Sequence, residues 1–277
     1  MADWSKLDPL GQVDDRRGRG VALGGGTALV GVVLYLALSA FGINLDPAMI
    51  TSTLDTLQST TQQNESGEYA GQDDYQLFAE RVLGSTNAYW SQDFQQNGQS
   101  FTEPTLVLFR GATQTSCGLG TSDVGPFYCP SDHSIYLDET FFARLEQLGG
   151  SSSQSAQAYV IAHEAGHHAQ QLLGTMQSVQ NEAGYSQTGT DSMSVRLELQ
   201  ADCYAGLWAH SLNNKQFFNA DDIRDIIATT GAVGDDRIQS RTTGQVTPET
   251  WTHGSSERRL QAFQTGYTSG KRSACSL

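Results

Sequence analysis

A chain of 277 residues, 38% hydrophobic and 9% aromatic, has room for one large domain or two small ones. That composition excludes a polytopic membrane protein, a collagen and a fully disordered chain. Sixteen Lys+Arg against 30 Asp+Glu leave a net charge of −14, so affinity for phosphate backbones is disfavoured and nucleic acid is not an expected partner.

Residues 1–20 end in the basic cluster Arg16, Arg17 and Arg19. The following stretch, VALGGGTALVGVVLYLALSAFGI (21–43), carries no charge and as a helix would extend about 34 Å, enough to span a bilayer. A basic flank tends to stay in the cytosol. The expected arrangement is therefore a cytoplasmic segment (1–20), one transmembrane helix (21–43) and an extracytoplasmic body, a single-pass protein of the cell membrane. The alternative is a cleaved secretory signal, since Ala37-Leu38-Ser39-Ala40 offers small residues, but signal cores usually run only about 7–15 residues. Removing residues 1–20 takes away four charges of each sign, so the body keeps the full −14. All four cysteines, Cys117, Cys129, Cys203 and Cys275, lie in it, and an even count in an oxidising compartment suggests two disulfides. Of three possible pairings, Cys117–Cys129 is favoured because the two are close in sequence and separated by the turn-formers Gly118, Gly120, Gly125 and Pro126; Cys203–Cys275 follows by elimination. The paired CxxC spacing of a four-cysteine zinc site is absent.

The segment 44–72 is polar and short of apolar residues at TSTLDTLQSTTQQNESGEYAGQ (51–72), and reads as a flexible tether. A helical pattern begins near Asp73 with Leu77, Phe78, Val82, Leu83, Tyr89 and Trp90, weakened in its middle by Gly84. TLVLF (105–109) and SIYL (134–137) are the best strand candidates, and they bracket the first two cysteines. Asp138 is placed to cap a helix through DETFFARLEQL, ending at Gly149-Gly150. Further helices are expected at about 154–173, 192–212, 220–232 and 255–266. Gly231, Gly234 and the polar run 240–250 read as a mobile lid or as a plain loop. The organisation is α+β: a small sheet and a mainly helical lobe in one domain, 73–277, preceded by one transmembrane helix.

The chemistry is concentrated in His163-Glu164-Ala165-Gly166-His167, inside the helical run AYVIAHEAGHHAQQLL. Residues four apart share a helical face, so both imidazoles can reach one Zn²⁺ while Glu164 lies beside a metal-bound water. This HExxH pattern needs a third protein ligand. The metzincin extension would require Gly at 170 and His at 173, where this chain has Gln170 and Leu173. Glu198 and Asp202 do lie one turn apart in SVRLELQADCYAGLWAHSL, where one can bind metal and the other can accept the free N–H of a ligating histidine. His253 precedes a helix that Ser255 and Ser256 can cap, a position from which it can reach into a cleft as an oxyanion donor. His168 points about 100° away from His167 and reads as packing, and His133 and His210 read as ordinary. Tyr136 is a candidate for packing near the cleft, because SIYLD resembles the edge strand on which zinc peptidases lay an extended substrate.

The Glu198…Asp202 spacing resembles the ExxxD element of the thermolysin-like zinc peptidases, the gluzincins. That resemblance implies Glu198 as third metal ligand and Asp202 as the hydrogen-bond partner of His163. Taken together, HEAGHHAQ, ELQADCYAGLWA, GPFYCPSD with IYLD, GDDRIQ and THGSSERRLQAFQTGYTSG resemble the bacterial membrane-anchored neutral zinc metallopeptidase family over nearly the whole chain. Trp251 stands where that family's FTHG element leads one to expect Phe, and the tether is long. The resemblance implies a zincin-like fold, one Zn²⁺ per chain held by His163, His167 and Glu198, Glu164 as general base, and a peptide or protein substrate. Three rivals stay open from the sequence: an exported binding protein with a structural zinc, a hydrolase of a non-peptide amide, and a latent enzyme.

Overall fold

In the computed structural model, which describes residues 1–18, 73–182, 186–213 and 217–277, Asp73 accepts the backbone N–H of Gln76 at 2.7 Å and starts helix α1 (Asp74–Gln96). Phe78, Val82, Thr86, Trp90 and Phe94 repeat every fourth residue along its buried face. The transmembrane helix expected at 21–43 and the tether at 44–72 lie outside the described residues. Among the described residues, no helix is long and apolar enough to cross a membrane.

Four strands form the main sheet: β1 (Val13–Asp15), β2 (Thr105–Phe109), β5 (Phe127–Cys129) and β6 (Ser134–Asp138), in the order β1-β2-β6-β5. The first three neighbours run parallel and β5 is antiparallel to β6. A separate hairpin pairs β3 (Ala112–Thr115) with β4 (Gly118–Thr121). SIYLD is therefore an inner strand, fully buried between β2 and β5, which corrects its expected place at the edge. Tyr136 stacks on Phe127 at 5.0 Å and donates to Asp132 at 2.9 Å, in a small core with Val107, Phe109 and Cys129 rather than in the cleft.

Residues 1–15 belong to the same compact unit as 72–277, whereas the sequence places the start of the domain at 73. Trp4 is buried and meets Phe78, Phe217 and Phe218 edge-on at 5.2, 5.0 and 6.0 Å. Gly84, which looked like a weak point in α1, is where this segment passes: a Cβ there would lie 3.0–3.1 Å from the backbone of Asp8, Leu10 and Gly11.

Helices α2 (Phe141–Gln147), α3 (Gln154–Leu172), α4 (Thr175–Gln180), α5 (Met193–Asn213), α6 (Ala220–Ala232), α7 (Asp235–Thr242) and α8 (Ser256–Ser269) follow. Thr140, not Asp138, precedes α2; the Asp138 carboxylate ends β6 and accepts the N–H groups of Gly111 and Thr140 at 2.9 Å each. α3 is central and buried on nearly every side, with Ala156, Tyr159, Ile161, Ala165 and Ala169 all inward. α5 and α8 cross in near-contact, because a Cβ on Gly206 would fall 2.2 Å from the Phe263 carbonyl oxygen and one on Gly266 1.9 Å from that of Cys203. The stretch that reads as a mobile lid or a plain loop is partly helical. Gly231 is within α6, α7 occupies 235–242, and a Cβ on Gly234 would meet the Ser256 backbone at 2.4 Å. Disulfides join Cys117 to Cys129 and Cys203 to Cys275.

Candidate metal centre and cleft

On α3, the one-turn spacing of His163 and His167 brings their rings to 4.8 Å, nearly perpendicular. α5 lies against α3 and aims Glu198 between them: Oε2 is 3.2 Å from His163 Nε2 and Oε1 is 3.3 Å from His167 Nε2. One donor atom from each of the three residues falls within 4.8 Å of the others. Two imidazole nitrogens and a carboxylate oxygen suit Zn²⁺, and among the described residues no fourth His, Cys, Asp or Glu joins the group, the pattern of a site that keeps one position open. Each histidine offers Nε2 because its Nδ1 is engaged, that of His163 with Asp202 Oδ1 at 2.8 Å and that of His167 with Gln170 Oε1 at 2.9 Å.

The field at this centre favours positive charge. Burial would lower His163, but Asp202 and Glu198 outweigh it and raise it to about 10. Burial would raise Glu198, yet His167, His253 and His163 hold its carboxyl well below the usual carboxylate range. Glu164 is buried beside the pair, and there burial wins, pushing its carboxyl upward against the two histidines.

Asp202, fully buried, accepts from four donors: His163 Nδ1, the Tyr159 hydroxyl at 2.5 Å, and Arg259 through Nε at 2.8 Å and Nη2 at 3.0 Å. Arg259 comes from α8, delivered by the tight α5–α8 crossing, and its Nη1 also donates to the Val233 carbonyl at 3.1 Å. No sequence motif singled it out. Its position inside THGSSERR is the only available signal.

His253 opens onto the same cleft from the loop before α8, where Ser255 caps the helix by accepting the Arg258 N–H at 3.3 Å. Asp235, the first residue of α7, builds that loop. Its Oδ2 accepts the backbone N–H groups of Thr252, His253 and Gly254 at 2.8, 2.7 and 2.9 Å, and its Oδ1 lies 3.2 Å from His253 Nδ1. The neighbouring Asp236 accepts the N–H and hydroxyl of Ser256. The GDDRIQ element is thus the clamp on the THG element, a role that its sequence does not announce.

These residues line a cleft of about 490 Å³ with apolar walls that include Phe127 and Tyr128 of β5, Phe141, Val160, Val233 and Ile238. His168 lies behind the wall. Its Nδ1 accepts from the Tyr128 hydroxyl at 2.9 Å, its Nε2 donates to the Thr102 carbonyl at 2.6 Å, and burial lowers its imidazole to about 4. His133, in a left-handed turn with φ 54°, packs on that ring, and His210 contacts the Tyr267 carbonyl at 2.7 Å. None of these three joins the metal group.

Comparison with known proteins shows the family. A family described as "Putative neutral zinc metallopeptidase" matches residues 2–277. YpfJ of Escherichia coli (strain K12) is 35% identical over 283 residues, covering 98% of this chain and 97% of that protein. Mb2605 of Mycobacterium bovis and Rv2575 of Mycobacterium tuberculosis (H37Rv) are each 46% identical over 186 residues, 63% of this chain and 62% of theirs. No solved structure matches. With HEAGH, Glu198 and a match running the length of the chain, this protein belongs to the neutral zinc metallopeptidase family.

Proposed function

We propose that this protein hydrolyses peptide bonds with one zinc ion held by His163, His167 and Glu198. The observation that carries this reading is the convergence of those three donors on the floor of an open cleft, with Glu164 beside them and no fourth protein donor among the described residues. A structural zinc would call for a closed, four-ligand site, which disfavours the binding-protein alternative. Zinc in such a site supplies a Lewis acid for the scissile carbonyl and lowers the pKa of a water to about 7.

The chain's own residues do the rest. Glu164 takes the proton of the attacking water and then delivers it to the leaving amine; its upward-pushed carboxyl suits both directions of transfer. Asp202 holds His163 with Nε2 outward. His253 stabilises the developing oxyanion, oriented by Asp235. β5 lines the cleft and pairs only with β6 among the described residues, so an extended substrate can add to its second edge and pass over Glu164. We further propose attachment to the cell membrane through 21–43, with the domain in an oxidising, extracytoplasmic compartment where its two disulfides persist.

The test uses the full chain in detergent, because residues 1–15 are part of the fold. One equivalent of zinc and cleavage of a mixed peptide library are expected of the wild type, and Glu164→Gln should bind zinc but cleave nothing. Glu198→Ala should lose the metal. Full activity of Glu164→Gln would remove the assignment, and zinc binding with no cleavage of any peptide would favour a non-peptide amide or a latent enzyme.

A further inference from the structure

The acceptor that fixes His167 is a neutral amide, and an amide has two ends. Gln170 stands three residues beyond His167 on α3 and presents Oε1 to His167 Nδ1 at 2.9 Å. An amide oxygen only accepts, so the hydrogen must reside on Nδ1, which leaves the Nε2 lone pair facing Glu198. Had the amide been turned over, its NH₂ group would face Nδ1, the hydrogen would shift to Nε2, and His167 could not bind metal.

Two acceptors on α5 prevent the turn, a backbone carbonyl and a second buried amide. Gln170 Nε2 donates to the Leu197 carbonyl at 2.8 Å and to Gln200 Oε1 at 2.9 Å. Gln200 in turn donates through Nε2 to the Cys275 carbonyl at 2.9 Å. Both amides are buried, and both end on backbone carbonyls, which accept and never donate. The Cys275 carbonyl is held in place by the disulfide to Cys203, one turn after Gln200 on α5. A continuous, polarised chain thus runs from the Cys203–Cys275 bridge through Gln200 and Gln170 to Nδ1 of His167.

Resting on the zinc site proposed above, we infer that Gln170 and Gln200 are positioning residues for His167 and that the Cys203–Cys275 disulfide anchors them, so opening this bridge weakens zinc binding without touching a ligand. The links act in series. A loose Cys275 carbonyl frees Gln200 to turn, a turned Gln200 presents NH₂ to the NH₂ of Gln170, and the repulsion loosens the hold on Nδ1. The Leu197 carbonyl still restrains Gln170, so loss of the bridge has a smaller effect than loss of Gln170 itself.

The experiment measures the zinc Kd of the full chain by chelator competition, a readout independent of turnover. Gln170→Leu is expected to weaken zinc binding about 10–100-fold, the usual effect of removing a partner of a ligating histidine. Replacing Cys203 and Cys275 together by alanine should weaken it about fivefold, the worth of one buried hydrogen bond. Gln200→Met should match the cysteine pair and serves if that variant folds poorly. Replacing Cys117 and Cys129 by alanine should leave the Kd unchanged. The decisive comparison is the combination: in the Gln170→Leu background, removal of the Cys203–Cys275 bridge should cause no further loss, because the chain is already cut. Additive losses, or an unchanged Kd in Gln170→Leu, would overturn the inference while leaving the metal centre in place. A wild type that binds no zinc would overturn the centre, and the inference with it.

Discussion

Arg259 grips Asp202 with two nitrogens at 2.8 and 3.0 Å, across the tight α5–α8 crossing, and both side chains are buried. The pair neutralises a buried carboxylate that also holds His163. Removing one member of a buried ion pair leaves an uncompensated charge and costs about 3–5 kcal/mol. Arg259→Met should therefore lower the unfolding free energy by about that amount, measured by denaturant melts of the zinc-free chain. Arg259→Lys cannot reproduce the two-nitrogen fork and should recover only part of it. A melt unchanged in Arg259→Met would show that Asp202 is satisfied by His163 and Tyr159 alone.

Asp235 and His253 form a second pair, 3.2 Å apart. Burial would lower the His253 imidazole, but the Glu198 charge and the Asp235 contact prevail and raise it, which favours a hydrogen on the ring nitrogen that faces the cleft. His253→Ala should reduce kcat about 10²–10³-fold, the scale for loss of an oxyanion donor, with the zinc Kd unchanged. Asp235→Asn turns an NH₂ group toward donors that a carboxylate had satisfied, so it should lower kcat in the same direction. Steady-state kinetics with matched zinc titrations separate this from metal loss; an unaltered kcat in His253→Ala would return that residue to a purely structural role.

What could be read from the sequence divides by range. His163, Glu164 and His167 are legible because one helical turn places them, and Glu198 with Asp202 because a second helix repeats the same spacing. Arg259 and Asp235 escape because their meaning lies in partners supplied by other elements: Asp202 is 57 residues from Arg259, and the backbone that Asp235 gathers is 17–19 residues away. β1 is three residues long, too short to show alternation, and becomes a strand only because β2 offers it an edge. The inner position of SIYLD is hidden for a related reason. Its alternation is compatible with either position, and only the short FYC segment, invisible to pattern reading, decides that β5 is outermost.

His168 predicts a pH dependence of stability. Its imidazole titrates near 6.5 when unfolded but is lowered to about 4 in the fold, chiefly by burial. Between those values the unfolded chain binds the extra proton, so stability rises with pH through this window. The contribution is complete above about 6.5 and is lost as pH falls toward 4; at about 1.4 kcal/mol per pH unit it amounts to roughly 3 kcal/mol at most. Thermal melts from pH 4 to 7 should fall less steeply with acid in His168→Gln than in the wild type. Parallel curves would mean that other groups dominate the acid limb.

The packing of the amino terminus bears on how the chain meets a membrane. Trp4 lies among Phe78, Phe217 and Phe218, and β1 shares hydrogen bonds with β2, so residues 1–15 and 73–277 make one fold. Trp4→Ala should cost about 3–5 kcal/mol, as truncation of a buried aromatic does. Two parts of one packed core also have to reside on the same side of a bilayer, whatever the path of the stretch between them. Leu10 and Val246 are 74% and 43% exposed, and every native cysteine is bonded, so a single cysteine at either position is the only free thiol. With a membrane-impermeant maleimide on intact cells, Leu10→Cys and Val246→Cys should both be labelled before lysis, as an extracytoplasmic fold that includes both positions requires; labelling of neither would overturn the extracytoplasmic placement. Labelling of Val246→Cys alone would mean that the amino-terminal strand does not dock in the cell, and a single crossing with a cytoplasmic amino terminus would follow.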